Sequence, residues 1–303
     1  MHNNIIVVGK HGRPSMKNVY SKMKNGKLLI RRQSPKKTYY RLYQNNNPLN
    51  PSVVPNYSFT NSDVVIRWGT QEVLADDRKG IIYNKSSALA DVSHKYKSRK
   101  LMTEAGVNVP LNVTANTPQQ LLTYPIIARP FRHSKGSNFI ILKDRQSFLQ
   151  HYNVHSAAWY YSNFVNKTRE YRVHCAHGKV LNLLEKPNPG PNQIAWNRAQ
   201  GNDAFISVNW NDYPVAVVRE ALKACKALGC DFLGIDVIVT ADGTPYILEG
   251  NSSPTLNTSE YSSERYAKYF EWLMRSPEKR EHWDFTQFKD ASSFAWKNFQ
   301  LEN

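Results

Sequence analysis

Asp236, Glu249 and Asn251 are spaced so that three oxygen-bearing side chains could meet. They lie in Gly229–Pro254, GCDFLGIDVIVTADGTPYILEGNSSP, where two runs rich in β-branched and aromatic residues, 231–240 and 245–250, flank Asp242-Gly243. That is a hairpin signal. With a two-residue turn, Asp236 faces Glu249, and Asn251 shares Glu249's face opposite Gly234. Ile235, Val237, Val239, Tyr246 and Leu248 then form the core face. Two adjacent carboxylates repel unless a cation lies between them, and an all-oxygen set suits Mg²⁺ better than zinc. The same residues also describe an ordinary hairpin with polar groups on its wet face.

Several elements must hold such a hairpin in place. Residues 4–9, NIIVVG, read as a buried strand, followed by a helix around 15–24 and strands at 27–32 and 63–68. Together they predict a small α/β lobe, with 45–55 as an Asn- and Pro-rich loop. Arg67 falls at a strand end, where open α/β sheets present ligand-binding groups or carry ordinary ion pairs. A helix is expected from Ser93 to Ala105, stopped by Gly106, with Lys95, Lys97, Arg99 and Lys100 suited to solvent-facing positions. Residues 214–229 give the clearest helix, with Asp212 as cap, Pro214 in its first turn, and Val218, Leu222, Cys225 and Leu228 as its apolar stripe. A last helix runs from 259 or 262 to 274.

The Asp236-x12-Glu249-x-Asn251 spacing, with Gly234-Ile235 before it and Ser252-Ser253-Pro254 after it, resembles the metal-binding signature of ATP-grasp ligases. Other segments extend the resemblance over about 93–258. SHKYKSRKLMTEAGVNVP is similar to the family's opening nucleotide-binding helix and puts Lys95 at a phosphate-contacting position. PIIARPFRHSKGSN resembles the strand and phosphate loop, with Arg129 where lysine is usual and Gly136 the loop's only glycine. Arg132, His133 and Lys135 could then replace part of the backbone donor set. The Arg129-Pro130-x-x-His133-x-x-Gly136 form resembles a variant in small phage-encoded members.

What the resemblance implies is a mixed α/β and α+β chain with an ATP-grasp fold and a small N-terminal α/β lobe. The expected divisions are 1–92, the basic lobe; 93–158, the small subdomain; 159–260, the large subdomain with the metal site; and 261–303, a helix and tail. ATP and Mg²⁺ are the implied cofactors, and Asp236, Glu249 and Asn251 the implied metal ligands. Asn163, Phe164 and Val165 would read adenine through their backbone, and Glu170 would reach ribose or the linker. Lys95, Arg129, His133, Lys135 and Gly136 would hold phosphate, with Arg129, Lys186 and Arg172 in catalytic positions. Glu170 and Arg172 could equally form cross-strand ion pairs. Arg198 and Gly201 would line the acceptor entrance. The implied reaction is carboxylate–amine ligation through an acyl phosphate, with release of ADP.

The chain has 303 residues and a formal charge of +16. Residues 1–62 contain eleven Lys or Arg and no Asp or Glu. Such a block favours an anionic partner, an acidic peptide or nucleic acid, or serves as a solvated face. Tyr39, Tyr40 and Tyr43 beside these cations keep a nucleic-acid binder as an alternative, and the glycine-poor loop keeps a scaffold that binds ATP without turnover. No apolar run reaches the ~20 residues of a membrane span. The absence of a leader pattern and the odd set of three cysteines predict a cytoplasmic, reducing setting.

Overall fold

The computed structural model describes residues 4–9, 14–24, 26–33, 38–44, 47, 49–71, 80–114, 122–131, 139–190, 194, 196, 205–209, 212–256 and 260–275. The N-terminal lobe is a six-stranded sheet. Its elements are β1 (Asn4–Gly9), α1 (Pro14–Lys22), β2 (Lys27–Gln33), β3 (Thr38–Tyr43), β4 (Ser52–Val54), β5 (Asp63–Trp68) and β6 (Ile81–Tyr83). The strand order is β4-β3-β2-β1-β5-β6, and β2, β1, β5 and β6 run parallel. All six residues of β5 are buried, as expected of a strand covered on both faces. The stretch 45–55, expected to be wholly loop, contains β4. Its three residues are short and mostly exposed, which is how an edge strand escapes a pattern search.

Two helices, α2 (Ser86–Ser93) and α3 (Lys95–Glu104), lead out of this lobe. His94, not Ser93, caps α3, its Nδ1 accepting from the Lys97 N–H at 3.2 Å. Next come β7 (Asn112–Val113), β8 (Ile126–Pro130), β9 (Ile140–Leu142), α4 (Arg145–His155) and β10 (Trp159–Asn163). These strands form an antiparallel sheet in the order β7-β10-β8-β9. Asp144 and Ser147 close a capping box at the start of α4. The sequence reading set β10 at the head of the large subdomain, yet its ladder joins the smaller sheet. The chain changes sheets only between Asn163 and Lys167.

The third sheet has the order β13-β12-β11-β14-β15 and is antiparallel throughout. Its strands are β11 (Lys167–Ala176), β12 (Lys179–Lys186), β13 (Ile206–Ser207), β14 (Phe232–Thr240) and β15 (Pro245–Asn251). Helix α5 (Val215–Ala227) covers one face with Val217, Val218, Ala221, Leu222 and Cys225. Asp212 does not cap it: Pro214 is the N-cap and makes no side-chain cap bond. The last described helix, α6 (Glu260–Leu273), packs against α1 and β12. Trp68 of the first lobe meets Tyr266 and Phe270 of α6 with ring centroids 5.1 and 6.1 Å away. Such edge-to-face aromatic contacts add to burial and tie the first lobe to the third sheet.

The β14–β15 hairpin differs from its predicted turn. Thr240 N–H donates to Thr244 O at 3.1 Å, and Gly243 has φ +85°, so the loop spans Ala241 to Gly243 with glycine in the left-handed position. Val237 therefore pairs with Ile247 and Ile238 with Tyr246. A bulge at Leu248 then restores the predicted register, and Asp236 faces Glu249. The core face carries Ile247, fully buried, in place of Tyr246 and Leu248, which are half-buried.

Candidate functional site

Alternation on three adjacent strands builds the site. On β11 the residues Tyr171, Val173 and Cys175 enter the core, so Glu170, Arg172 and His174 face the other way. The ladder sets Arg172 beside Asp236 and Asp236 beside Glu249; the neighbouring rung runs His174, Gly234, Asn251. Asp236 receives two hydrogen bonds from Arg172, Nε to Oδ1 at 2.7 Å and Nη2 to Oδ2 at 2.9 Å, and lies 3.4 Å from Lys186 Nζ. Glu170, 3% exposed, is paired with both Lys186 and Lys167. Lys95 at the start of α3 reaches Glu249 at 2.8 Å.

The charges respond to this packing. Burial pushes the Asp236 carboxyl up, but Arg172 and Lys186 outweigh it and hold the group well below the usual carboxylate range. Glu249 is likewise pulled up by burial and brought below its usual value by Lys95. Lys186 is lowered by burial and raised above its ordinary value by Asp236 and Glu170. Lys167 is lowered, since burial there exceeds the pull of Glu170. Asp236 and Glu249 both face chain cations, which favour their ionised forms.

A cavity of about 190 Å³ opens beside this cluster, walled by both antiparallel sheets. Ile127 and Arg129 come from β8, Ser162 and Asn163 from β10, and Ile238 and Leu248 from the hairpin. Phe164, Val165 and Asn166, the stretch where the chain changes sheets, line it too, with Lys167 and Trp196. Apolar walls with a few polar groups and cations at one side suit a flat base attached to an anionic tail.

Of the predicted residues, Arg129, Asn163, Phe164 and Val165 share this cavity, while Lys95, Glu170, Arg172, Lys186, Asp236 and Glu249 form the adjoining ion cluster. Asn251 lies on the next rung with its Nδ2 buried and lacking a hydrogen-bond partner. His133, Lys135 and Gly136, with Arg132, Arg198 and Gly201, lie outside the described residues. Two cations escaped the sequence reading. Arg99, expected at a solvent-facing position, is 2% exposed and lines the cavity, donating Nε to Leu248 O at 3.2 Å and Nη1 to Asn112 Oδ1 at 2.6 Å. Its signal was the four-residue step from Lys95, which puts both on one helix face. Lys167 carries no motif; its Nζ sits 4.6 Å from the Trp196 ring centroid.

The donor set, two carboxylates opposed across one ladder and an amide oxygen on the same face, is all oxygen and so suits a hard divalent cation. Among the described residues there is no group of three or more His, Cys, Asp or Glu side chains placed to hold a metal. A metal here would depend on the Asn251 oxygen and on phosphate oxygens to complete its shell.

Comparison with solved structures identifies this arrangement as an ATP-grasp ligase fold. The D-Ala:D-Ser ligase VanG of Enterococcus faecalis superposes with a TM-score of 0.62 at 16% identity, covering 90% of this chain and 100% of that one. The ATP-grasp ligase PsnB, solved with precursor peptide PsnA2 and AMPPNP, gives 0.59 at 14% identity over 91% and 99%. The chain belongs to the RimK-like ATP-grasp domain family, whose profile matches residues 92–268. A probable alpha-L-glutamate ligase of Desulfotalea psychrophila is 24% identical over 192 residues, 59% of this chain and 40% of that protein. A D-alanine–D-alanine ligase of Nitrosospira multiformis is 26% identical over 201 residues, 59% and 63% of the two chains. The chain thus spans less than two thirds of the length of these relatives.

Proposed function

We propose that this chain is an ATP- and Mg²⁺-dependent carboxylate–amine ligase that activates its acid as an acyl phosphate and releases ADP. One observation carries the reading. Six cationic side chains, Lys95, Arg99, Arg129, Lys167, Arg172 and Lys186, converge on the cavity and its adjoining cluster against three carboxylates. That surplus of positive charge suits a triphosphate and the charge that develops during phosphoryl transfer.

In this reading backbone groups of Asn163 to Val165 read the adenine edge, and Glu170 takes the ribose. Lys95, Arg129 and Lys186 clamp the phosphates, joined by His133, Lys135 and Gly136 of the loop. Arg172 steadies the transferring phosphoryl group, held in position by Asp236. Mg²⁺, bound by Asp236, Glu249 and Asn251, would neutralise phosphate charge. A substrate carboxylate oxygen attacks the γ-phosphorus and the bond to the β-phosphate oxygen breaks, giving acyl phosphate and ADP. An amine nitrogen then attacks the acyl carbon, phosphate leaves, and the amine's proton is lost to solvent.

The substrates we propose are a small amino acid or an acidic peptide, in line with relatives named for glutamate and alanine ligation. All three cysteines are free thiols, which fits the cytoplasmic setting we propose. No helix among the described residues is long and apolar enough to cross a membrane.

The test is to incubate the protein with ATP, Mg²⁺ and separate pools of amino acids and acidic peptides, then resolve the nucleotides. ADP formation stimulated by one pool is the expected result. AMP as the main product would defeat the acyl-phosphate route, and tight ATP binding without turnover in any pool would leave a binding scaffold.

A further inference from the structure

We propose that His151 and His155, in the second half of α4, form a two-imidazole site for a borderline divalent transition metal such as zinc, separate from the all-oxygen site on the hairpin. The two residues stand four apart on one helix, which puts them one turn apart on the same face. Their rings lie 4.6 Å apart, centroid to centroid. Zinc holds an imidazole nitrogen at about 2.0–2.1 Å, so one ion can bridge rings this close with only a swing of His155, whose side chain is exposed.

His151 is already posed as a ligand. Its Nδ1 lies 3.2 Å from the Tyr161 hydroxyl, and its Nε2 is buried with no hydrogen-bond partner. A metal-bound imidazole gives one nitrogen to the ion and donates the other N–H to an oxygen, which fixes tautomer and ring orientation. With Nδ1–H donating to Tyr161, the lone pair of Nε2 is left for a cation. Trp159 packs against both rings, with centroids 4.7 Å from His151 and 5.9 Å from His155. Nitrogen ligands select zinc, nickel or copper over magnesium.

The pair sits behind the nucleotide cavity. Side chains alternate along β10, so Trp159 and Tyr161 meet α4, whereas Tyr160 lies under Arg99 at 5.5 Å and Ser162 lines the cavity. An ion on His151 and His155 would therefore lie across the small sheet from Asp236 and Glu249. It would brace the last turn of α4 against the strand that carries the cavity wall, and failure of this proposal leaves the ligase reading standing.

The test uses the full chain without a histidine tag, freed of metal with a chelator and returned to excess Mg²⁺, at pH 7.5, above the ordinary imidazole pKa of about 6.5. Zinc is titrated in by calorimetry, and melting is followed with and without it. Wild type should bind one equivalent and melt higher with zinc. His155→Ala alters an exposed side chain, so melting without zinc should be unchanged, while zinc affinity should fall by at least about tenfold, the loss that even an outer-shell change can cause. His151→Ala should lose zinc to the same extent, and His155→Cys, which keeps a zinc ligand, should retain it. No zinc binding by wild type, or equal affinity in both alanine variants, would overturn the proposal. So would zinc that is lost in Glu249→Gln and kept in His155→Ala, since the ion would then lie in the oxygen site.

Discussion

Arg172 and Asp236 face each other on neighbouring strands and are joined by two side-by-side hydrogen bonds of 2.7 and 2.9 Å. Both side chains are largely buried, 12% and 7% exposed. Neutralising Asp236 therefore leaves a buried guanidinium and the Lys186 ammonium short of counter-charge, a loss of about 3–5 kcal/mol. Glu249 is more open, at 29%, and among the described residues its ion-pair partner is Lys95. Although both residues read alike in sequence as ligands, Glu249→Gln should abolish turnover with melting nearly unchanged, whereas Asp236→Asn should lose activity and thermal stability together. ATP consumption and thermal melting measured side by side separate the two, and near-normal turnover in Glu249→Gln would remove Glu249 from the site.

Arg129 lies on the cavity wall, where the proposed ligase activity gives it a phosphate contact. Arg129→Ala should weaken ATP binding by about 1.5–3 kcal/mol, the scale of a charged hydrogen bond. Arg129→Lys should recover part of it. Titration calorimetry with a non-hydrolysable ATP analogue checks this, and unchanged affinity in the alanine variant would mean that the guanidinium contacts no phosphate.

Gly234 sits between His174 and Asn251 on the rung next to the Arg172–Asp236 pair. A Cβ there would stand 2.7 Å from the Pro254 Cβ and 3.5 Å from the Arg172 Cδ. Gly234→Ala meets Arg172 at ordinary contact distance but must displace Pro254, and with it the chain end that carries Asn251, so kcat should fall by about tenfold or more, as misplacement of a catalytic group does. Nucleotide affinity, set largely by the adjoining cavity and by Lys95 and Lys186, should fall less than the rate. Equal losses in affinity and rate would argue for general collapse of the hairpin instead.

His174 supplies a pH dependence. Its imidazole is fully buried, with Nδ1 3.0 Å from the Tyr266 hydroxyl, and burial, reinforced by Arg172, pushes its pKa down to about 3. The native state keeps the ring neutral, whereas the unfolded chain takes up a proton near pH 6.5. The stability tied to this group is fully present above about pH 6.5 and is lost as pH falls towards 3, at no more than about 1.4 kcal/mol per pH unit. Thermal melting of wild type and His174→Gln between pH 7.5 and 5 should show the steeper decline in wild type. Parallel curves would mean the ring is protonated or solvated in the native protein.

Local sequence revealed the parts of this site that depend on alternation. Glu249 and Asn251 share a face by strand period two, whereas Asp236 faces Glu249 only because the bulge at Leu248 offsets the longer turn, and α5 was visible through its stripe of Val218, Leu222 and Cys225. The unread parts depend on tertiary packing. Helix α4 buries only Phe148, so it offers almost no apolar period to detect. In β3, Tyr39, Tyr40 and Arg41 are half-buried and Leu42 and Tyr43 both buried, so the strand offers no alternation to detect. Arg99 looked like one more helix cation because nothing local says that α3 turns that face onto β15. The change of sheet after Asn163 is likewise set by which ladder closes, not by any residue at the break.

The extra residue at Leu248 separates the two ends of the hairpin. The loop at Ala241 to Gly243 throws the strands one residue out of step with the root, and the bulge takes up the slack before Glu249 is reached. The carbonyl of that same residue accepts the Arg99 guanidinium and stands on the cavity wall. A single inserted position thus acts as an adjustable joint: the tip can be lengthened or recut without dragging the carboxylates out of alignment. Removing Leu248 itself would leave Asp236 opposite Glu249 on a regular ladder, yet it would strip a wall from the cavity and take away the carbonyl that holds Arg99.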